Sequence, residues 1–357
     1  MELNHKGDLS FAELSKLSST MPQFHDLWIS GGEPFLRRDL AEVVQLFYNN
    51  NKVRDVRIPT NALPTPQIIS TVKKILESCP NLHLEIDISV DGFAETHDKI
   101  RGVEGNFEKA LETLTLLETI REEQPNLTLY VNSVITRENQ EEIIELGEYF
   151  KQNADIDGHY FQIIRGDPKD RTLENVTPNE LKEIYRKALA LNLHYLSKAQ
   201  RKESTLDRAK KAYWAAGYAF TYRTQYSNYV NGASWKMPCT AGQTSIVIDY
   251  NGDVRVCELR KPIDNLRKHG MDFQRFWRSI ERRLEVQSVK LDKCFCTHIC
   301  FMYDSMRHSK RVMLWELPML HFERFFHNLP HKTGAKAPLK ATLNSETTPT
   351  TIPLTEP

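Results

Sequence analysis

The segment 82–90 constrains the fold more than any other part of the chain, because apolar and polar residues alternate along it without interruption. Side chains of a β-strand point alternately to its two faces, so this alternation predicts a strand with one apolar and one polar face. The apolar face consists of Leu82, Leu84, Ile86, Ile88 and Val90, and the polar face of His83, Glu85, Asp87, Ser89 and Asp91. We expect one face to pack under helices and the other to line a polar space.

Short apolar runs alternate with amphipathic stretches across residues 27–166, as they do where crossover helices join parallel strands. The predicted strands are 27–30, 53–59, 82–90, 127–135 and 160–164, and the predicted helices between them are 39–48, 66–78, 107–122 and 139–151. A flat parallel sheet covered on both faces would be almost continuously apolar. The polar face of the third strand therefore favours a partial barrel, an α/β fold of the TIM-like (β/α)6 type with its site at the carboxyl ends of the strands.

A further helix is predicted at 10–19, ahead of the first visible strand. In a βα-repeat fold this helix should be the crossover from an earlier parallel strand, so the partial barrel is expected to lack its first strand. The predicted divisions are a partial barrel at 1–170, a helical connector at 171–236, a small cysteine-rich domain of β-hairpin and helix at 237–310, a C-terminal helix at 311–331 and a disordered tail at 332–357.

Composition and charge narrow the range of partners. Lys plus Arg and Asp plus Glu number 47 each, so no global field indicates binding to nucleic acid or to an anionic membrane. No run approaches the ~18 consecutive apolar residues of a membrane span, and the polar N-terminus is not that of a signal peptide. We therefore expect a cytoplasmic protein, in which the six cysteines favour metal or redox chemistry over disulfides.

Five cysteines lie in the C-terminal third of the chain. The Asn251-Gly252 dipeptide predicts a hairpin turn that brings Cys257 back toward Cys239. The compact segment Cys294-Phe-Cys296-Thr-His-Ile-Cys300 can supply the remaining ligands. Four thiolates from such dispersed positions are typical of a [4Fe-4S] cluster.

Two alternatives for these cysteines stay open. Structural zinc sites usually combine two close Cys-x2-4-Cys pairs, whereas here only Cys296 and Cys300 have that spacing, and the cysteines can also be thiols without a metal. Four ligand positions leave one cysteine over, and Cys294 or Cys296 is the expected spare. Cys79, before Pro80, is interpreted as a buried core cysteine.

Several motifs at the predicted strand ends occur together with the cysteines. They are Gly31-Gly32-Glu33-Pro34, Thr60-Asn61, Ser89-Val90-Asp91-Gly92, His97-Asp-Lys-Ile-Arg101-Gly102, Cys239-Thr-Ala-Gly and Gly252-x4-Cys257. In this combination the chain resembles, over roughly residues 10–310, the radical S-adenosylmethionine (SAM) enzymes that carry a C-terminal SPASM or twitch domain with an auxiliary cluster. The resemblance implies an oxidoreductase or peptide-modifying enzyme that uses SAM and an auxiliary [4Fe-4S] cluster.

The resemblance also implies roles for single residues. The Gly31-Gly32-Glu33 turn would hold the methionine amino group of SAM, Ser89 would meet its ribose or carboxylate, and Arg101 would pair with its carboxylate. Asn61, Asn132 and Arg165 face the same site, and no residue is predicted to be catalytic. The expected partners are a small-molecule or peptide substrate and a reductase that donates electrons.

The chain departs from this family in one respect. The family holds its catalytic cluster with Cys-x3-Cys-x2-Cys after the first barrel strand, and the 357 residues contain no such triplet. The expectation is an N-terminally shortened chain that does not itself cleave SAM. The alternatives are a non-catalytic iron-sulfur or SAM-binding scaffold and a zinc-stabilised binding module.

Overall fold

The computed structural model describes residues 7–198, 205–292 and 296–326. In this part of the chain the central element is a five-stranded parallel sheet in the order β1-β2-β3-β4-β5, curled into a half-barrel. The strands are β1 (Asp26–Trp28), β2 (Asp55–Thr60), β3 (His83–Ser89), β4 (Leu127–Ile135) and β5 (Gly158–Ile163). All five predicted strands exist, and the predicted α/β class with a partial barrel is confirmed.

A contact between side chains of β2 and β5 agrees with the curvature of the sheet. Arg57 lies on β2 and Tyr160 on β5, three strands away, and yet Arg57 Nη2 lies 3.0 Å from the Tyr160 hydroxyl. Three strand spacings of a flat sheet amount to about 14 Å. The Tyr160 hydroxyl also lies 3.3 Å from the carboxylate of Glu85 on β3. The concave face is therefore the polar one, as the alternation along β3 predicts.

Helices cover the convex face of the half-barrel. Leu84, Ile86 and Ile88 of β3 are fully buried in a core shared with the helices that follow the strands. These helices are α2 (Leu40–Asn51), α3 (Thr65–Ser78), α4 (Ala94–Arg101), α5 (Asn106–Glu123) and α6 (Ile143–Asn153), preceded by α1 (Phe11–Thr20). The sequence pattern does not predict α4, because its only buried residue is His97.

The helix predicted at 139–151 begins later than expected, at Ile143. Asn139 is fully buried and its side chain serves the preceding loop instead. Its amide oxygen accepts a hydrogen bond from the Thr136 N–H at 2.8 Å, and its amide nitrogen donates to the Asp91 and Val134 carbonyls. Asparagine competes with the backbone for hydrogen bonds in this way, which favours loops over helix starts.

Two long helices follow the half-barrel, α7 (Pro178–Ser197) and α8 (Thr205–Asn231), as expected for the helical connector. The predicted hairpin is present as β6 (Val247–Ile248) paired antiparallel with β7 (Asp253–Arg255), and β8 (Asp264–Asn265) extends this sheet. The remaining helices are α9 (Phe273–Trp277), α10 (Ile280–Leu291), α11 (Ile299–His308) and α12 (Leu317–Phe326).

Three apolar clusters hold these parts together. The largest lies between the half-barrel and its helices and includes α7, the second surrounds Cys239 and Cys257, and the third joins α1 to the hairpin region through Leu17, Val254 and Phe276. The five predicted divisions stay predictions. The tail at 332–357 and Cys294 lie outside the described residues. Within the described ranges, no helix combines the length and the apolar character needed to cross a membrane.

Candidate functional site

The carboxyl end of β1 forms an open turn. Gly31 has a φ of 142°, a conformation that side chains rarely adopt, and both Gly31 and Gly32 are exposed. A Cβ added at either glycine would meet no atom within 4 Å. The turn therefore offers bare backbone to a ligand at the edge of the half-barrel.

Glu33 follows these glycines, and its carboxylate is occupied by the protein itself. Oε2 accepts a hydrogen bond from the Asn61 N–H at 2.7 Å, and Oε1 accepts from the Thr60 hydroxyl at 3.0 Å and from the Phe35 N–H at 3.2 Å. Burial raises the pKa of Glu33, and these three hydrogen bonds oppose that rise. Glu33 thus fastens the end of β1 to the end of β2, and its predicted contact with an ammonium group stays a prediction.

Ser89 and Arg101 come to the same edge from β3 and α4. Ser89, the last residue of β3, lies beside Asn132 of β4 in the sheet register. Arg101 Nη2 lies 2.8 Å from Asp91 Oδ2, and the other oxygen of this buried carboxylate accepts a hydrogen bond from the Val134 N–H at 2.8 Å. Arg101 Nε is buried and has no hydrogen-bond partner among the described residues. The Arg101 side chain as a whole is 29% exposed, so an anion can approach the accessible part of its guanidinium.

Deeper in the half-barrel lies a charged group that the sequence reasoning did not single out. Arg57 Nη2 lies 2.6 Å from Glu85 Oε1, and Arg57 Nε lies 3.8 Å from Asp87 Oδ2. Burial, reinforced by the charge of Glu85, raises the pKa of Asp87 well above its usual value. Asp87 Oδ1 has no hydrogen-bond partner in the described part of the chain. The alternation along β3 predicted Glu85 and Asp87 as lining residues, but nothing in it marked Arg57 as their partner.

The cysteines divide between two environments. Cys239 and Cys257 are buried in one apolar cluster, against which Cys296 packs. Cys300, in the first turn of α11, is only partly buried. Burial raises the pKa of the Cys300 thiol to about 11, and the charges of Arg165 and Arg57 oppose that rise. The charge of Glu258, which follows Cys257, adds to the rise, so the thiol lies among charges of both the half-barrel and the cysteine region. The expectation that Cys294 or Cys296 is the spare cysteine stays untested, since Cys294 lies outside the described residues.

Side chains of α8 and the segment after it hold the cysteine segment in place. Trp235 Nε1 donates to the Cys296 carbonyl at 2.8 Å, and Gln225 Nε2 donates to the Thr297 carbonyl at 2.8 Å. The His298 N–H donates to Cys296 Sγ at 3.4 Å. A backbone N–H directed at a cysteine sulfur two residues earlier stabilises a thiolate, the form in which cysteine binds metals.

A chain of polar contacts joins the edge of the half-barrel to the cysteines. Gln162 Nε2 donates to Asn132 Oδ1 at 2.9 Å, and Arg165 Nη1 donates to Gln162 Oε1 at 3.0 Å. Arg165 Nη2 lies 2.9 Å from the carboxylate of Glu258, which in turn lies 2.8 Å from His298 Nε2. Burial raises the pKa of Glu258, but His298 and Arg165 outweigh it and lower this pKa to about 2.

Glu258 and His298 were missed as site residues, although the sequence places both next to cysteines. Glu258 directly follows Cys257, and His298 lies midway between Cys296 and Cys300. A histidine enclosed by cysteines is a signal for metal binding, and it was available from the sequence. The predicted Arg165 and Asn132 are brought together with them, whereas Glu33 lies in the turn after β1 and Arg101 at the end of α4.

Comparisons with known proteins agree with this architecture. No protein-family model matches the chain. The AdoMet-dependent heme synthase of Methanosarcina barkeri (strain Fusaro / DSM 804) is 31% identical over 163 residues, which cover 44% of this chain and 42% of that protein. The synthase of the same name from Oleidesulfovibrio alaskensis is 30% identical over 139 residues, or 38% of this chain and 32% of that protein. The chain thus spans less than half of the length of these curated relatives.

A solved structure shares the fold over most of the chain. Native anSMEcpe with bound AdoMet aligns with a TM-score of 0.56 over 90% of this chain and 92% of that chain, at 14% identity. The relatives and the fold agree with the resemblance carried by the Gly31-Gly32-Glu33-Pro34 and Ser89-Val90-Asp91-Gly92 motifs. The similarity to these synthases and the shared fold therefore support the resemblance to the radical S-adenosylmethionine superfamily.

Proposed function

We propose that this chain provides the SAM-binding half-barrel and the auxiliary-cluster region of a radical SAM enzyme of the SPASM or twitch type. In this proposal SAM lies at the carboxyl ends of β1, β3 and α4, against Gly31, Gly32, Ser89 and Arg101. An auxiliary [4Fe-4S] cluster is held by four of the five C-terminal cysteines. The substrate is a small molecule or a peptide, and a separate reductase supplies the electrons.

One observation supports this proposal more than any other. Arg165, just beyond the end of β5, reaches Glu258, the residue after Cys257, at 2.9 Å. The cysteine region therefore sits over the same edge of the half-barrel at which the Gly31-Gly32 turn and Arg101 lie. A cofactor at this edge and a cluster beside the cysteines would both border the polar interior, where a substrate has access to each.

The residues present fit SAM. Its methionine carboxylate requires a cationic donor, and Arg101 offers a partly exposed guanidinium at this edge. Asp91, ion-paired with Arg101 at 2.8 Å, fixes the direction of the guanidinium. The open turn at Gly31 and Gly32 gives the amino group access to backbone carbonyls. We assign Glu33 the role of positioning this turn, because its carboxylate is already held by Thr60, Asn61 and Phe35.

The residues present also fit an iron-sulfur cluster. Cys239, Cys257 and Cys296 supply soft thiolate ligands within one apolar surrounding, as such clusters require. The His298 N–H already donates to the Cys296 sulfur, and hydrogen bonds of this kind set the reduction potential of a bound cluster.

In enzymes of this class, SAM bound to a reduced cluster supplies a 5'-deoxyadenosyl radical that abstracts hydrogen from the substrate. The chain's own residues would orient the cofactor and keep water from it. Arg57, Glu85 and Asp87 present charge and hydrogen-bonding groups to a substrate in the polar interior.

A second candidate is a non-catalytic scaffold that binds SAM and one cluster without cleaving SAM. The observation that favours it is the composition of the chain, since none of its six cysteines forms a Cys-x3-Cys-x2-Cys triplet. The coding sequence upstream of Met1 distinguishes the two candidates. An in-frame Cys-x3-Cys-x2-Cys triplet there would support the enzyme, and its absence would support the scaffold.

Anaerobic reconstitution of the chain with iron and sulfide tests the auxiliary cluster. We expect one four-iron cluster per chain, with its broad visible absorbance, and we expect Cys257→Ala to abolish that absorbance and to destabilise the C-terminal region. Cys79→Ala is the matched control, because Cys79 is a buried cysteine of the half-barrel core and should leave the cluster intact. A protein that retains zinc without sulfide, or a Cys257→Ala spectrum identical to that of the parent, would contradict the proposal.

A further inference from the structure

His298 combines deep burial with an unusual hydrogen-bonding state. The residue is only 2% exposed, and its Nδ1 has no hydrogen-bond partner among the described residues. Its other ring nitrogen, Nε2, makes no well-aligned hydrogen bond among the described residues either, but it lies at an ion-pair distance of 2.8 Å from Glu258 Oε1. A buried ring nitrogen without a partner is costly, so such an atom in a native fold calls for a ligand.

The contact with Glu258 determines which ring nitrogen carries the proton. A carboxylate oxygen has no proton to donate, so a ring nitrogen only 2.8 Å away from it is the one that carries the proton. The Arg165 guanidinium, 2.9 Å from the same carboxylate, keeps Glu258 in its accepting, ionised form. In the neutral imidazole, Nδ1 is then left with a free lone pair. This is the arrangement of metal-binding histidines, whose second nitrogen usually donates to a carboxylate.

The position of His298 places this lone pair within the cysteine segment. His298 lies two residues after Cys296 and two before Cys300, and its backbone N–H donates to the Cys296 sulfur. The Cys300 thiol experiences the charges of Arg165 and Arg57 and also that of Glu258. Cys239, Cys257 and Cys296 share one apolar cluster, and the backbone contact ties His298 to Cys296.

We infer that His298 Nδ1 is a ligand of the auxiliary cluster and binds one iron beside the thiolates of Cys239, Cys257 and Cys296, with Glu258 as its positioning residue. This inference rests on the proposed cluster and places the imidazole of His298 in one of its four ligand positions, instead of a fourth cysteine. Replacing a thiolate by a neutral imidazole raises the reduction potential of iron-sulfur sites. The cluster would then be suited to accept an electron from a radical on the substrate.

Pulsed electron paramagnetic resonance of the reconstituted and reduced full-length chain tests the ligand directly. A coordinated imidazole gives strong ¹⁴N hyperfine coupling, whereas peptide nitrogens hydrogen-bonded to sulfur couple weakly. We expect the strong coupling in the parent protein, its replacement by the ¹⁵N pattern after labelling with ¹⁵N-histidine, and its loss in His298→Ala. His308→Ala is the control, since His308 is exposed at the far end of α11 and should keep the coupling.

Two further variants keep the test decisive if His298→Ala fails to fold. His298→Cys offers a thiolate at the same position, so the cluster should be retained while the nitrogen coupling is lost. Glu258→Gln should keep the coupling but lower iron affinity about 10- to 100-fold, the usual effect of removing the partner of a ligating histidine. A complete four-iron cluster without strong nitrogen coupling would overturn the histidine ligand alone. Failure of the parent chain to assemble any cluster would overturn the proposed function as well.

Discussion

At the scale of single residues, two glycines that follow strands differ in the space that a Cβ atom would have. Gly92, after β3, is enclosed, and an added Cβ would lie 2.4 Å from Glu142 Oε1 and 2.8 Å from the Thr96 side chain. Gly32, after β1, is open, with no atom within 4 Å of an added Cβ. Both glycines occur in the sequence motifs, which do not distinguish them. In the structure Gly92 is needed for close packing, whereas Gly32 lies at the candidate cofactor site.

Alanine substitutions separate these two roles. Gly92→Ala should destabilise the protein by about 1–3 kcal/mol, because the new methyl group has no space beside Glu142 and Thr96. Gly32→Ala should leave the free energy of unfolding within ~0.5 kcal/mol of the parent value and weaken SAM binding instead. Urea unfolding measures the first effect and equilibrium dialysis with labelled SAM the second. Equal stability losses in both variants would refute the distinction.

At the scale of elements, α1 illustrates how local sequence defines a helix. Ser10 Oγ accepts a hydrogen bond from the Glu13 N–H at 3.2 Å, and Glu13 Oε2 accepts from the Ser10 N–H at 2.9 Å. This reciprocal capping box satisfies two backbone donors at the helix N-terminus. The sequence predicted the helix at 10–19, and the structure places it at Phe11–Thr20 with Ser10 as the N-cap.

Removal of the cap should therefore cost measurable stability. Ser10→Ala should lower the free energy of unfolding by about 1 kcal/mol, since the Glu13 N–H loses its acceptor. Ser19→Ala serves as the control at the other end of the helix, where the exposed hydroxyl only donates to the Lys16 carbonyl. Urea unfolding followed by circular dichroism compares the two variants. A larger loss in Ser19→Ala than in Ser10→Ala would contradict the capping account.

At the scale of the whole molecule, α1 also connects the half-barrel with the hairpin region. Arg267, after β8, lies 2.6 Å from Glu13 and donates to the Gly7 carbonyl at 3.0 Å. The Leu9 N–H donates to the Tyr250 carbonyl at 2.7 Å, beside the hairpin turn. On its other side, α1 is joined to α2, where Asn51 Nδ2 donates to the Ser18 carbonyl at 3.0 Å.

The Glu13–Arg267 ion pair should make this connection sensitive to acid. The hydrogen bond from Arg267 and the one from the Ser10 N–H lower the pKa of Glu13 from 4.5 to about 2. A carboxyl group whose pKa is depressed by folding stabilises the protein above its unfolded pKa, and this contribution is lost as the pH falls. The contribution of Glu13 is therefore present above pH 4.5 and disappears between pH 4.5 and about 2.

Glu13→Gln isolates this effect, because glutamine preserves the capping box but not the ion pair. Its free energy of unfolding should fall less steeply than that of the parent between pH 4.5 and about 2. Glu112→Gln is the control, since Glu112 forms an ion pair with Lys109 on the exposed face of α5. Urea unfolding at a series of pH values provides the comparison, and parallel pH profiles for parent and Glu13→Gln would exclude the ion pair as the cause.

The sequence by itself determined the structural features that depend only on residues close to one another along the chain. Alternation along 82–90 predicted a polar interior, the bounds of β4 were predicted correctly at Leu127–Ile135, and the Asn251-Gly252 turn predicted the hairpin. Periodicity, caps and turns are local properties of the backbone, so a sequence displays them directly. The resemblance to the radical SAM superfamily was likewise legible, because its motifs are short and contiguous.

Only the tertiary structure decided which distant side chains meet. Arg57 pairs with Glu85 on the neighbouring strand and with Tyr160 three strands away, and Arg165 reaches Glu258, 93 positions later in the chain. Ion pairs and buried hydrogen bonds depend on distances of a few ångströms, and these are set when the sheet curls and the cysteine region docks on its edge. The state of His298 follows from the same docking, because only the contact with Glu258 distinguishes its two ring nitrogens.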